Sequence, residues 1–453
     1  MVESIDFWTF KPYIEEPSFM QKSRSETHKR DKLSRKKRLK RLIIVNFTLL
    51  GILIVVLGTW LAAANSDKLQ DWFSFAGGDK KEQAEAAQPN VSAENSGNGA
   101  GSAKNPNSAI EDPSNKGEEK MPSVEDNAAA TAPERADNEA DKISLSFVGD
   151  VLVEQYVSAI TERKGYDYLY KPSMLYLSEP DLTAGNLEFP ITKRGVPVEG
   201  TPYVFKGSPD VLPSMRNAGF DVMSLANNHT LDQGVEGMLD TMKYLDKAGI
   251  AHMGAGKNDT EAFTPLIKEV RGIKVAYIGI SRVLPFNSWK ADKNVAGVAE
   301  TYDTKRAVAA IAKAKKQADV VVVMVHWGKE RVDQPEEYQK DFGRQYIDAG
   351  ADLVIGSHPH VLQGFEMYKG KWIAYSLGNF IFSNYPKEKA AETGVLDALC
   401  SKNGDCDLTF HPMITVQAQP TPLKADKAKA MLDRLSALSF GVKLNEDGTI
   451  VPK

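Results

Sequence analysis

ADLVIGSHPHV, residues 351–361, carries an apolar stretch into Gly356 and then sets two histidines, His358 and His360, one residue apart. The pattern recurs. SLSFVG stops at Asp150, AGNLEFP carries Asn186 and Glu188, DVMSLANNH stops at Asn228 and His229, and VVVVMVHWG stops at His326. The chain has seven histidines, and four of them stand at such terminations. One buried histidine is ordinarily a satisfied core residue. A group of four, with two acids and two asparagines, is hard to place that way, because each buried polar group without a partner costs about 1–3 kcal/mol. A shared cation supplies the partners at once. Imidazole, carboxylate and amide oxygen form a mixed N/O donor set suited to Mn, Zn or Fe, as one ion or two. His28, His252 and His411 stand outside this pattern and read as ordinary histidines.

Side chains so far apart in sequence meet only if an architecture delivers them. Helix-like segments alternate with short apolar runs from Ile143 onward: SMRNAGFD before Val222, IAKAKKQAD before Val320, YIDAGAD before Leu353. This is the rhythm of a layered α/β domain, in which strand ends open on one crevice. KVAYIGIS (274–281) and WIAYSLGN (372–379) read as further core strands. GVEGMLDTMKYLDKAG, TKRAVAAIAKAKKQA and EEYQKDFGRQYIDAG have helical spacing of apolar residues. HPMITVQAQPTPL reads as a strand pair, followed by the helix-like KADKAKAMLDRLSALS. The domain is expected over residues 142–441, with 442–453 as a C-terminal tail.

The N-terminal third has another character. Residues 21–41 hold eleven Lys or Arg against two acids, and residues 42–64 hold no charge at all. Twenty-three helical residues rise roughly 35 Å, enough to span a bilayer core of about 30 Å. The basic run beside the span reads as the positive-inside signal of a cytoplasmic segment 1–41, not as a nucleic-acid patch. A secretory signal ending at Ala62-Ala63-Ala64 is the rival, but signal cores are shorter and closer to the N-terminus. Residues 65–141 are poor in large apolar side chains and read as a disordered extracytoplasmic linker. Cys400 and Cys406, the two cysteines, then lie on the oxidising side, where a disulfide is favoured over free thiols.

FVGDV, GNLEFP, SLANNHTLDQG, VHWGKE, GSHPHVLQG and YSLGNFIF, in that order, resemble the CapA/PgsA family of poly-γ-glutamate capsule synthesis proteins, whose outer domain is similar to calcineurin-like metallophosphoesterases. The resemblance covers about residues 142–441. It implies an αββα sandwich of metallophosphoesterase type and a site for one or two divalent ions. Asp150 and His360 would ligate the first ion, and Asn228, His326 and His358 the second. Glu188 stands where a bridging Asp is usual. The pattern departs again after Asp150, where Val151-Leu152 replace the usual Asp-x-His. The resemblance makes His229 the general acid or transition-state stabiliser. Asp232 can orient it, or can equally cap the following helix. Asn186, Trp327, Gln363 and Asn379 are weaker candidates for substrate contact, and Trp327 can equally be core.

Three functions follow: an accessory subunit acting on the emerging anionic polymer beside membrane-embedded synthase subunits, a stand-alone cell-envelope phosphoesterase, or a non-catalytic scaffold. No Lys/Arg cluster stands out within residues 142–441 to receive a polyanion.

Overall fold

The computed structural model describes residues 141–382 and 387–453. The cytoplasmic segment, the 42–64 span and almost all of the linker expected from the sequence lie outside the described residues. No helix among the described residues is long and apolar enough to cross a membrane.

The chain begins with β1 (Lys142–Val151), α1 (Tyr156–Lys164), α2 (Met174–Ser178), β2 (Leu182–Leu187), α3 (Leu212–Ala218), β3 (Phe220–Ser224), α4 (Gly234–Ala248) and β4 (Ala251–Met253). It continues through β5 (Ala255–Gly256), α5 (Asp259–Ala262), β6 (Leu266–Val270), β7 (Ile273–Ser281), β8 (Gly297–Val298), α6 (Lys305–Lys315), β9 (Val320–His326), α7 (Glu337–Asp348) and β10 (Leu353–Ser357). It ends with β11 (Phe365–Tyr368), β12 (Lys371–Ala374), β13 (Asn379–Ile381), β14 (Glu392–Ser401), β15 (Cys406–Val416), β16 (Gln419–Pro422), α8 (Ala425–Leu438), β17 (Val442–Leu444) and β18 (Thr449–Pro452).

Two mixed sheets result. The larger follows the order β17-β18-β15-β14-β1-β2-β3-β4, with β13 beside β1 and β16 beside β15; the smaller follows β11-β12-β10-β9-β7-β6. Alternation along the strands explains how they stack. Leu145 and Phe147 of β1 and Val320, Val322 and Met324 of β9 share one core between the sheets. The opposite faces bury their apolar residues under helices: Leu187, Phe220 and Met223 with Met238 and Leu245 of α4 on one side, and Val321, Val323 and Val325 with Ala307, Ile311 and Tyr346 of α6 and α7 on the other. The layers are helix, sheet, sheet, helix, the order that the family resemblance implied where the strand–helix rhythm alone implied only a layered α/β domain.

Register brings the chemistry together. The neighbours β1, β2 and β3 run parallel, with Asp150 opposite Asn186 and Asn186 opposite Ser224. In the second sheet β7, β9 and β10 are parallel, and Ser281, His326 and Ser357 lie abreast. Close approach of neighbouring segments within each sheet leaves no room for some side chains. A Cβ on Gly149 would stand 1.9 Å from the Gly378 carbonyl oxygen, and one on Gly356 would stand 2.0 Å from that of Tyr375.

Two boundaries differ from the sequence reading. Residues 442–453, expected as a tail, supply β17 and β18, which extend the large sheet through β15. Their strands are too short to show a period, yet Val442 and Ile450 are buried in the inter-sheet core. The stretch 372–379 is not one strand, because β12 ends at Ala374 and β13 starts at Asn379. Cys400 and Cys406 are bridged across the β14–β15 hairpin, where they face each other in register.

Candidate metal centre

The loops that follow β1, β2, β3, β9 and β10 meet at one mouth. At β10 the chain leaves the strand by an unusual path: His358 has φ 94° and His360 has φ 56°. Left-handed conformations are costly for residues with a Cβ, and they persist where the surroundings over-determine them. The two imidazoles therefore turn inward together, with ring centroids 5.7 Å apart. His326 reaches the same space from β9, 4.7 Å from the His358 ring.

The carboxylates come from the other sheet. Asp150 and Glu188 are fully buried. Asp150 accepts hydrogen bonds from Asn186 Nδ2 (2.8 Å) and from the His358 backbone N–H (3.2 Å), and lies 3.3 Å from His360 Nδ1. Glu188 Oε1 lies 3.7 Å from His326 Nε2 and 3.8 Å from His360 Nε2. The ligand atoms of Glu188, His326 and His358 all fall within 4.8 Å of one another, as do those of Asp150, Glu188 and His360. Each spread suits donors around one cation, since ligand bonds near 2.0–2.2 Å put paired donors about 3–4.4 Å apart.

Outside this ring, hydrogen bonds fix the imidazoles. His326 Nδ1 contacts Ser357 Oγ at 2.9 Å, which leaves Nε2 facing Glu188 and 2.7 Å from Asn228 Oδ1. His360 Nδ1 contacts Asn379 Oδ1 at 2.9 Å. Such partners set the tautomer and aim of metal-binding imidazoles. The donor set passes a stricter test in its unpartnered atoms: Glu188 Oε1 and His358 Nδ1 are buried and have no hydrogen-bond partner. Buried groups of this kind ordinarily find one, and a divalent cation would serve both.

Electrostatics point the same way. Burial, and then the charge of Asp150, push Glu188 well above the usual carboxyl range. Burial alone would also raise Asp150, but His360 and the neighbouring donors overcome it and hold that carboxyl well below its ordinary value. Burial, and then the adjacent imidazoles, depress His326 strongly and His358 to about 3. His326 and His358 held toward the neutral, ligating form, beside an Asp150 held toward its ionised form, favour cation binding.

His229 stands at the rim, half-buried, under the ring of Phe205 at 4.6 Å. Its Nδ1 is 2.8 Å from Asp232 Oδ2. Asp232 does not cap α4, whose N-cap is Gln233; it also accepts from the Phe205 backbone N–H. Its carboxylate thus faces His229 and the Phe205 backbone, not the end of α4.

The four weaker candidates have other duties. Trp327 is core: it is fully buried, stacked near Tyr346 and Tyr375, with Nε1 donating to the Tyr375 carbonyl. The alternation of β9 sends His326 inward and Trp327 to the opposite face. Gln363 is buried between Gln339 and the Val332 carbonyl, a brace between loops. Asn186 and Asn379 are buried supports of Asp150 and His360 and do not face solvent. Sequence reasoning missed Ser357, Asn227 and Glu330. Asn227 Nδ2 donates to Asn186 Oδ1 and the Leu187 carbonyl, tying the β2 and β3 loops together. Glu330, exposed, brings a carboxylate oxygen within 4.8 Å of donor atoms on His358 and His360. Its place in VHWGKE, four residues past His326, was the available signal.

Comparison with known proteins places the chain in a family. The profile of the bacterial capsule synthesis protein family PGA_cap matches residues 144–384. The PGA biosynthesis protein CapA of Bacillus subtilis is 33% identical over 68% of this chain and 82% of its own length. The capsule biosynthesis protein CapA of Bacillus anthracis is 30% identical over 63% and 70%. Among solved structures, the sulfate thiohydrolase SoxB of Thermus thermophilus superposes loosely, with TM-score 0.37 at 14% identity over 68% of this chain and 62% of that one. The profile spans the strand-end cluster, and the chain belongs to the bacterial capsule synthesis protein family.

Proposed function

We propose that this chain is a membrane-anchored, extracytoplasmic subunit of poly-γ-glutamate capsule synthesis whose strand-end cluster binds one or two divalent ions, Mn, Zn or Fe. The observation that carries the metal half is the pair of buried, unpartnered atoms, Glu188 Oε1 and His358 Nδ1, on two residues whose ligand atoms cluster with those of His326, His360 and Asp150. The polymer half rests on the relatives, whose names tie them to capsule and PGA biosynthesis. The uncharged 42–64 segment behind a basic run supports the anchor. Contact with membrane-embedded synthase subunits belongs to the same reading.

Glu188, His326 and His358 would hold one ion, and Asp150 and His360, sharing Glu188, a second. An ion held there supplies Lewis acidity toward a substrate oxyanion. The rest falls to the protein. Ser357 and Asn379 hold His326 and His360 in their tautomers, and Asn186 holds Asp150. Because Nδ1 of His229 is committed to Asp232, Nε2 is the ring atom left to carry a proton to or from substrate. That dyad favours chemistry over a passive scaffold. It equally suits a stand-alone envelope phosphoesterase.

Complementation decides between these. In a deletion strain, wild-type chain should restore surface polymer, while Asp150→Ala and His326→Ala at equal abundance should not. Full restoration by both variants would overturn the metal-site reading. Undiminished polymer in the deletion strain itself, with turnover of an aryl phosphodiester by the purified chain, would favour the phosphoesterase.

A further inference from the structure

Among the described residues Arg163, Arg282 and Arg331 are the arginines with no ion pair, and of these Arg282, next to His326 in the fold, is the one held between aromatic rings. Arg194, Arg216, Arg271, Arg306, Arg344 and Arg434 each pair with a carboxylate. Arg282 does not, among the described residues. Its guanidinium carbon lies 4.4 Å from the ring centroid of Tyr302 and 5.0 Å from that of Tyr338. Its Nε is buried without a hydrogen-bond partner. Both rings are themselves pinned: the Tyr302 hydroxyl accepts from the Leu284 N–H at 2.9 Å, and the Tyr338 hydroxyl from the Gly328 N–H at 2.7 Å. A guanidinium held by aromatic faces keeps its N–H edge for another partner, and that edge matches a planar oxyanion.

Its place in the fold gives this meaning. Arg282 follows Ser281, which lies abreast of His326 in register, and its backbone N–H donates to the His326 carbonyl at 2.8 Å. Ala276, Ile278 and Ile280 of β7 face the outer helical layer, so Arg282 leans to that side while the His326 imidazole turns to the inner one. The guanidinium therefore branches from the chain next to His326, on the face turned away from its imidazole. Lys290 adds a second positive charge on the same Tyr302 ring, 4.6 Å from its centroid. The cluster itself is rich in acids, with Asp150, Glu188, Asp232 and Glu330 gathered near its mouth, so a polyanion needs cationic purchase at the rim. Residues 282 and 290 are too far apart in sequence to have shown as a basic run.

Resting on the capsule-polymer reading, we infer that Arg282, braced by Tyr302 and Tyr338 and supported by Lys290, is a docking subsite for a side carboxylate of the polymer, placed so that a neighbouring unit of the same chain lies at the metal centre. The probe is a γ-linked glutamate oligomer titrated into the full-length chain in detergent, against Arg282→Gln and Arg282→Lys, with metal content and thermal unfolding measured on each. Loss of one charge-assisted bidentate contact should weaken oligomer binding about tenfold in Arg282→Gln, with metal content unchanged. Arg282→Lys should recover only part, because an ammonium lacks the planar fork. Inorganic phosphate should not compete at concentrations comparable with the oligomer. Equal oligomer affinity in wild type and a folded Arg282→Gln would overturn the subsite, as would Arg282-dependent binding of phosphate without binding of oligomer. A wild-type chain that binds no oligomer at all would instead sink the polymer reading on which the subsite rests.

Discussion

Glu188→Gln should separate the stability of this protein from its metal binding, with opposite signs. Glu188 is fully buried, its Oε1 has no partner, and burial beside Asp150 raises its carboxyl. Without a cation the fold therefore carries two strained atoms, Glu188 Oε1 and His358 Nδ1, at about 1–3 kcal/mol each. A cation should relieve roughly 2–6 kcal/mol; independently, an ion at a thousandfold excess over its Kd stabilises by about 4 kcal/mol. For a domain of about 300 residues, with an unfolding entropy near 0.6 kcal/mol/K, that is a rise in Tm of about 6 °C. The assay is scanning calorimetry on chelator-stripped full-length chain, with Mn, Zn or Fe(II) added back. Wild type should gain several degrees. Glu188→Gln, which keeps the shape and removes the charge, should unfold no lower than stripped wild type, and should gain little on adding metal. A stripped wild type that ignores all three metals would refute the reasoning. So would a Glu188→Gln variant that gains as much as wild type, because the orphaned carboxylate would then not be a ligand.

Asp232→Asn should cut any turnover at the site at least tenfold while leaving metal content intact, since it misdirects His229 through the 2.8 Å contact; equal turnover would remove the dyad from the mechanism. Gly356→Ala should abolish soluble expression or lower stability by about 3 kcal/mol or more, because its Cβ would meet the Tyr375 carbonyl at 2.0 Å, and a mild phenotype in urea unfolding would contradict the packing described. The double change of Cys400 and Cys406 to Ser should cost about 2 kcal/mol, a short loop's share of chain entropy, read as a lower urea midpoint. Burial holds His252 below its ordinary value, against the opposing pull of Asp246 and Glu261. A depressed histidine contributes stability that is present above its unfolded value near 6.5 and lost as pH falls below it. His252→Gln should therefore flatten the decline of Tm between about pH 7 and 5, and an unchanged slope would show that His252 does not titrate on unfolding.

Much of the site was legible because each strand announces its own end. A short, largely apolar stretch closing on Asp150, His326 or His358 names both the element and the side chain that leaves it, and parallel register does the rest. What periodicity does not carry is the direction of a side chain in a loop. Trp327 is the contrary case: it follows His326 immediately, and strand alternation itself sends it to the opposite face, into the outer core. Gln363 and Asn379 have the composition of substrate contacts and the geometry of braces. The left-handed turns at His358 and His360 have no sequence signature, since glycine, the usual mark of positive φ, is absent there. The final strands escaped because GVKLNEDGTIVP offers three or four residues either side of a turn, too few for alternation to register.

Anomalous diffraction from crystals of the chain grown with Mn or Zn, collected on both sides of the absorption edge, puts the account at its greatest risk. A difference peak within bonding distance of Glu188, His326 and His358 is the predicted result. An edge-dependent peak elsewhere, or none at full occupancy of added metal, would contradict it.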